Sequence, residues 1–506
     1  MSEVYAVPGV YVTESNAPAL SIQSGETAVP VFVGLFHAVS PPAKGAPLSC
    51  VRIESWLDFT QQFGPSDRIT VKMKTPGVHA TSYVGSYSVR LYFENGGGPC
   101  YVLAINNRED LEDPAVLAQI VPAIGLCPDI TLLCWCEYIQ PFTRKSDKQN
   151  DVLVDIDKDI YAQLSQLLGA SATSGGNRGM FLLTDAGVSG EPDKPSQWTF
   201  STPSVLERTQ VAAYFPALST AYERDYGEYV DQGVQVMDFN ADQTKALTEV
   251  GLITKDQTSV TLDRIRAKAV ESGPQQAAMK ALVSEVELQL NNSLSALQKN
   301  AEPVLLRASV AMAGVYARVD RERGVWKAPA NVGLLGVTGL IASGMTQAQK
   351  GWAQAVRIDD ELNTKLVDAK VNAIRLFRGQ GTVVWGTRTM SDPHLTDWLY
   401  IPVRRLFNAV ERDARAALRT VVFEPNNAAT WESVRGALDH YLNALWRRGA
   451  LQGENPTQAY FVQVGLGSTM TAEEVAEGKL IVKMGLAAVR PAEFIVLELT
   501  QDVALA

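Results

Sequence analysis

Three short uncharged runs constrain this chain most: Cys100-Tyr-Val-Leu-Ala-Ile105, Ile130-Thr-Leu-Leu-Cys-Trp-Cys136 and Met180-Phe-Leu-Leu-Thr184. Brief apolar runs without polar alternation read as strands buried on both faces. An earlier run, Thr27-Ala-Val-Pro-Val-Phe-Val-Gly34, is bounded by glycine and has the same character. Helical stretches lie between them, for example residues 157–168. Such alternation predicts an α/β layer with parallel strands over residues 23–221, since parallel neighbours need a crossover between them.

The remaining segments differ in texture. Residues 1–22 carry Pro8-Gly9, Pro18 and the extended stretch Val10-Tyr11-Val12, and read as an extended arm. Residues 222–305 are polar and helix-rich, with one long helical pattern at 275–299, and read as an outward insertion. Residues 306–374 return to the core. From 375 to 490 the pattern is α+β. Pro402 opens a helix on which Val403, Leu406, Phe407, Val410, Ala414, Ala417 and Leu418 recur at helical spacing. A strand is expected at Val421-Val-Phe-Glu-Pro425. Trp431, Val434, Leu438, Leu442, Leu445 and Trp446 then form a second stripe that Gly449 stops. Further strands are expected at 460–464 and 480–484, with capping-box spacing in Thr471-Ala-Glu-Glu474. Residues 491–506 read as a second arm, with a strand at 493–499. The fold class expected is α/β and α+β, multi-domain, with an α/β core, a helical insertion, a C-terminal α+β domain and extended terminal arms.

Charge and motifs exclude several functions. Lys+Arg total 45 against 55 Asp+Glu, a net charge of −10, so phosphate-driven nucleic-acid binding is not expected. Five cysteines are too few for a disulfide framework and predict a reducing compartment. No basic stretch followed by an apolar run opens the chain, and uncharged runs such as 331–349 are interrupted by Gly, Ser, Thr and Gln. The expectation is cytoplasmic synthesis without a signal peptide or a spanning helix. The phosphate-loop, nucleophile-elbow and His-Glu-x-x-His patterns are missing. Gly379-Gln-Gly381 precedes a strand rather than a helix, which suits a tight turn and not a dinucleotide site. Cys127, Cys134 and Cys136 lack a fourth zinc ligand and a knuckle turn. His37, His79, His394 and His440 are scattered, and Asp359-Asp360-Glu361 reads as a solvated helix face. No catalytic residue, metal or cofactor is assigned, and no enzyme is expected.

One helix carries charge that needs an explanation. Arg404, Arg405, Arg412, Arg415 and Arg419 fall opposite the apolar stripe that follows Pro402. Either they are a solvated face with Glu411 and Asp413 as local partners, or they dock on an acidic surface, for which Arg is suited.

Several stretches taken together are familiar. They are Val7-Pro-Gly-Val-Tyr-Val12, Phe93-Glu-Asn-Gly-Gly-Gly-Pro-Cys-Tyr-Val102, Ala313-Gly-Val-Tyr-Ala-Arg-Val-Asp-Arg-Glu-Arg-Gly-Val-Trp-Lys-Ala-Pro-Ala-Asn331 and Val371-Asn-Ala-Ile-Arg375. Gly381-Thr-Val-Val-Trp-Gly-Thr-Arg388, Val403-Arg-Arg-Leu-Phe-Asn408, Phe423-Glu-Pro-Asn-Asn-Ala-Ala-Thr-Trp431, Leu445-Trp-Arg-Arg-Gly-Ala-Leu-Gln-Gly453 and Pro491-Ala-Glu-Phe494 follow. In this order the chain resembles the tail sheath proteins of contractile phage tails, R-type bacteriocins and extracellular contractile injection systems. It departs from the simplest of them before Ala313, where Glu302-Pro-Val-Leu-Leu-Arg and the helical insertion replace a short loop.

The resemblance implies a structural subunit that polymerises in stacked rings around an inner tube. Contraction then drives the tube through a target cell envelope, with no nucleotide or cofactor. The implied partners are further copies or sheath paralogues, the inner tube protein, and baseplate and terminal cap proteins, with no nucleic acid and no membrane insertion. Synthesis in the bacterial cytoplasm and release as part of a phage tail or tail-like particle are implied too. A non-contracting cap or baseplate-proximal paralogue is one alternative, and an α/β enzyme is another. On the sheath reading, Arg405, Arg412, Arg415 and Arg419 face the tube. Val10, Tyr11 and Val12 of the first arm, with Phe494, Val496, Leu497 and Leu499 of the last, donate strands to neighbours. The first arm reaches roughly 70 Å at about 3.3 Å per residue.

Overall fold

The apolar runs become strands of one eight-stranded sheet. The computed structural model describes residues 21–39, 46–64, 67–74, 77–105, 107–137, 142–144, 152–154, 156–168, 179–224, 234–254, 259–299, 303–346 and 351–493. In chain order the strands are β1 (Pro30–Leu35), β2 (Cys50–Ile53), β3 (Cys100–Ile105), β4 (Leu132–Trp135), β5 (Phe181–Asp185), β6 (Val211–Phe215), β7 (Val371–Phe377) and β8 (Gly381–Trp385). They lie in the order β2-β3-β1-β4-β5-β6-β7-β8. The strands from β3 to β7 are parallel. β2 and β8 pair antiparallel at the two edges.

Alternate residues of each strand serve two cores, which is why the runs show no polar alternation. Val31, Val33, Leu103, Trp135 and Leu182 join Ile124, Ile160, Leu164 and Leu366 in one. Phe32, Val102, Cys134, Leu183 and Tyr214 belong to the other. The helices used below are α1 (Gly85–Glu94), α2 (Ile156–Gln166), α3 (Ala308–Arg323), α4 (Asp360–Asp368), α5 (Ile401–Leu418) and α6 (Ala428–Arg447). The second core is closed by α1 and by α3, which is buried from Ala308 through Ala317. A Cβ at Gly314 would lie 2.5 Å from the Tyr92 carbonyl oxygen and 2.9 Å from Asn95 Cβ, so α1 and α3 approach too closely there for any side chain.

Residues 222–305 do form helices, Ala241–Glu249, Leu262–Val270 and Gln276–Lys299. They do not stand alone, however. Strands Gln235–Met237 and Ser259–Thr261 join Asp67–Lys72 and Gly77–Ser82 in a separate four-stranded sheet. Ile69, Val71 and Met73 share one core with Val236, Leu247, Ile265, Leu282 and Val286. The insertion therefore has two segments, and the first was expected to lie in the α/β core. Its two strands form a local hairpin, but their link to the rest of the insertion runs through the three-residue strand Gln235–Met237, which carries too little pattern to give a signal.

The boundary expected at residue 375 also moves. β7 begins before it and pairs with β6, Ala213 opposite Val371 and Phe215 opposite Ala373. The β7–β8 hairpin turns at 378–380, where Gly379 has φ 83°, as the tight-turn expectation required. The chain divides instead into residues 26–408 with 490 onward, and residues up to Gly25 with 409–489. The smaller unit contains α6 and a two-stranded sheet of β9 (Tyr460–Gln463) and β10 (Lys483–Leu486). Ala414, Val434 and Leu438 form its centre with Ile22, Val462, Val482 and Met484. The expected capping box at Thr471 and Glu474 is present. The strand expected at 421–425 is absent. Arg419–Val421 is a single 3-10 turn, and Phe423 is fully exposed at φ 78°. These residues turn the chain from α5 toward α6, so the β-branched pair Val421-Val422 meets no strand partner.

Candidate functional site

The apolar stripe of α5 is buried at Val403, Leu406, Val410, Ala414 and Ala417, as its spacing predicts. Arg405 is buried with it, against expectation. Its side chain is 3% exposed, and that of its partner Asp320 on α3 is 6% exposed. Nη1 donates to Asp320 Oδ1 at 2.9 Å and Nη2 to Asp320 Oδ2 at 2.5 Å, a two-pronged pair. Nη2 also donates to the Thr27 carbonyl at 3.0 Å, and the guanidinium lies 4.5 Å from the Tyr316 ring centre. Arg405 is thus no part of an outward ridge. Its place next to Leu406 brings it to α3, where Asp320 neutralises it.

The other arginines behave differently. Arg404 donates to Asn408 Oδ1 at 2.8 Å and stacks 4.3 Å from the Trp398 ring centre. Arg412 is partly buried and donates to Asp413 Oδ1 at 3.4 Å. Asp413 also accepts from the Tyr441 hydroxyl at 2.8 Å and from the Gly25 N–H at 3.2 Å. Burial and the Asp413 carboxylate push the Tyr441 phenol well up. Arg415 is 42% exposed and pairs with Glu411 at 2.6 Å, one turn away. Arg419 is exposed at the helix end. Solvent-facing positive charge on α5 therefore rests on Arg415 and Arg419, with Arg412 partly available.

A second charged cluster had no sequence signal. Arg307, just ahead of α3, donates through Nη2 to both oxygens of Asp157, at 2.5 and 2.6 Å, and through Nε to the Glu137 carbonyl. Its Nη1 lies 3.7 Å from Asp185 at the end of β5. Asp185 accepts from the Ser309 N–H at 3.0 Å and from the Ser309 hydroxyl at 2.5 Å, and Trp135 donates to Asp157 at 2.8 Å. The network ties the ends of β4 and β5 to α2 and α3. A cleft of about 440 Å³ opens beside it, lined among others by Asp157, Lys158, Tyr161, Asp185 and Ser343. Parallel sheets often hold ligands beyond such strand ends. Here Arg307, Ser309 and Trp135 already occupy the carboxylate oxygens. Nearby, the buried Glu137 carboxylate accepts from the Leu35 and Val84 N–H groups, each at 3.2 Å. Burial outweighs those bonds and pushes its pKa up to about 7.

The remaining candidates are structural in their surroundings. Cys134 and Cys136 are buried, and burial pushes both thiols well up. Asp359 caps α4 by accepting from the Leu362 N–H at 2.9 Å, and Asp360 pairs with Arg375 at 2.8 Å. Among the described residues, no group of three His, Cys, Asp or Glu side chains could hold a metal ion. No described helix is long and apolar enough to cross a membrane. Val10, Tyr11, Val12, Phe494, Val496, Leu497 and Leu499 lie outside the described residues. The last described residue, Glu493, is held by Arg388 through Nε at 3.0 Å and Nη2 at 2.5 Å.

Known proteins resemble the chain along its length. Residues 395–501 match the family described as the phage tail sheath C-terminal domain. No curated protein matches the chain. Among solved structures, a chain of the anti-feeding prophage (AFP) baseplate, 6-fold symmetrised, is 33% identical, with 99% of this chain and 100% of that chain covered and a TM-score of 0.61. The contracted AFP helical sheath gives the same identity, coverage and score. The contracted sheath complex of PVC, an extracellular contractile injection system, is 30% identical over 99% of each chain, with a TM-score of 0.57.

Proposed function

The chain belongs to the contractile tail sheath family, and from that membership we propose that it stacks in rings around an inner tube and contracts to drive the tube through a target cell envelope. One observation carries this reading, the 33% identity that runs over 99% of this chain and all of a contracted helical sheath chain. It is a structural part and not an enzyme, for the matched proteins are sheath components. Its partners are further copies, the baseplate, the inner tube and a terminal cap. Synthesis in the bacterial cytoplasm and release within a tail-like particle complete the proposal.

Two contacts follow from this. Arg412, Arg415 and Arg419 are assigned to the tube side, where each exposed pair contributes at most about 1 kcal/mol, summed over many rings. The terminal arms are assigned to strand donation. A two-stranded sheet such as β9–β10 is marginal by itself, and its edge N–H and C=O groups suit an added strand. The Arg388–Glu493 pair would fix the root of the C-terminal arm. Deleting residues 1–20 tests the arm directly. The shortened chain should be a folded, soluble monomer that sediments as such and forms no tubes. Tubes of full length from the deletion variant would refute arm exchange.

A further inference from the structure

Cys50 opens the edge strand β2, and Cys127 lies just after the short helix Ile120–Gly125. Their sulfurs converge on one oxygen, the Ala123 carbonyl, at 3.6 Å from Cys50 and 4.0 Å from Cys127. The two thiols also interact with one another. Both are only partly buried, whereas Cys100, Cys134 and Cys136 are buried. An ion pair holds the same strand to the same loop, Arg52 Nη1 lying 3.2 Å from Asp129 Oδ2. Two partly accessible thiols held side by side can be oxidised with little rearrangement.

We propose that Cys50 and Cys127 form a redox-modification site, closing a disulfide when the protein passes from a reducing cell to an oxidising medium. The sheath reading supplies only that change of medium; the pairing of the thiols rests on geometry. The co-reactant is a low-molecular-weight disulfide. A Cys127 thiolate attacks one sulfur of it, forming a mixed disulfide and releasing one small thiolate. Cys50 then loses its proton to water and attacks the Cys127 sulfur, which releases the second small thiolate. Two protein thiols are oxidised, one external disulfide is reduced to two thiols, and no electrons are left over. Burial pushes the Cys50 thiol up, so the second step speeds as pH rises. The bond would tie an edge strand of the main sheet to the helix beside it, where unzipping would otherwise begin.

The test incubates the full chain with oxidised glutathione at pH 8, then alkylates free thiols and maps peptides without reduction. One intramolecular link between the peptides containing Cys50 and Cys127 is expected, reversed by dithiothreitol, with the other three cysteines unmodified until unfolding. The oxidised chain should melt a few degrees higher. Cys50→Ser should abolish the link and leave glutathione on Cys127. The wild-type map is decisive even where that variant fails to fold. Glutathione persisting on wild-type Cys127 without a link would overturn the proposal, as would thiols that stay free or links between copies. Tube formation is scored separately, so these failures would leave the sheath reading intact.

Discussion

Arg405 carries the same charge as Arg415 and Arg419, yet its guanidinium lies in the core against Asp320 and Tyr316. Helical periodicity assigns an angle to each residue and says nothing about a carboxylate on a distant helix. Asp320 lies far along the chain among Arg318, Arg321, Glu322 and Arg323, so nothing in the sequence singles it out as the partner. Removing one partner of such a pair leaves the other buried and uncompensated. Arg405→Met should therefore cost about 3–5 kcal/mol in urea unfolding. Arg415→Glu combined with Arg419→Glu should change stability by no more than about 1 kcal/mol. That double variant should lower the ratio of extended particles to empty contracted sheaths seen by electron microscopy. An unchanged ratio would return both residues to a solvated face. Glu137 makes a pH-dependent contribution. Its carboxyl titrates near 4.5 unfolded and about 7 folded, so the folded chain holds the proton more tightly. Stability should thus fall as pH rises between those values, by roughly 3 kcal/mol from this group. Glu137→Gln should remove that part of the slope in urea midpoints taken from pH 4.5 to 8, and parallel curves would contradict the assignment.

At the scale of elements, the long apolar runs and the amphipathic helices were legible because their periodicity is local. Pro402 and Gly449 mark helix ends in the sequence, and the structure uses both. What escaped were pairings between distant segments: β7 beside β6, and Asp67–Lys72 beside Gln235–Met237. A three-residue strand carries too little pattern to predict its partner. The second pairing changes what can be excised. Replacing 234–299 alone by a Gly/Ser linker would strip cover from Ile69, Val71 and Met73, each worth about 1.5–3 kcal/mol when buried. That variant should bind apolar dye and elute as aggregate. Replacing 67–82 together with 234–299 should restore soluble, dye-free protein, because those two segments share a core of their own, whereas Tyr222 and Val304 belong to the main core. A soluble, dye-free single replacement would contradict this. The two-segment body as a whole is then what we propose faces outward.

For the whole molecule, the family was readable from the order of motifs such as Val371-Asn-Ala-Ile-Arg375 and Leu445-Trp-Arg-Arg-Gly449, which no periodicity would have supplied. The division into units was not, since the change falls inside α5, a helix with one unbroken apolar stripe. Assembly was legible only by inference, because the strand donation proposed for the arms needs other copies. Negative-stain electron microscopy of the full chain, purified alone and concentrated, tests the sheath function most directly. A sheath subunit should polymerise into long hollow tubes of stacked rings. Small closed oligomers that never lengthen, whatever the salt or protein concentration, would contradict it.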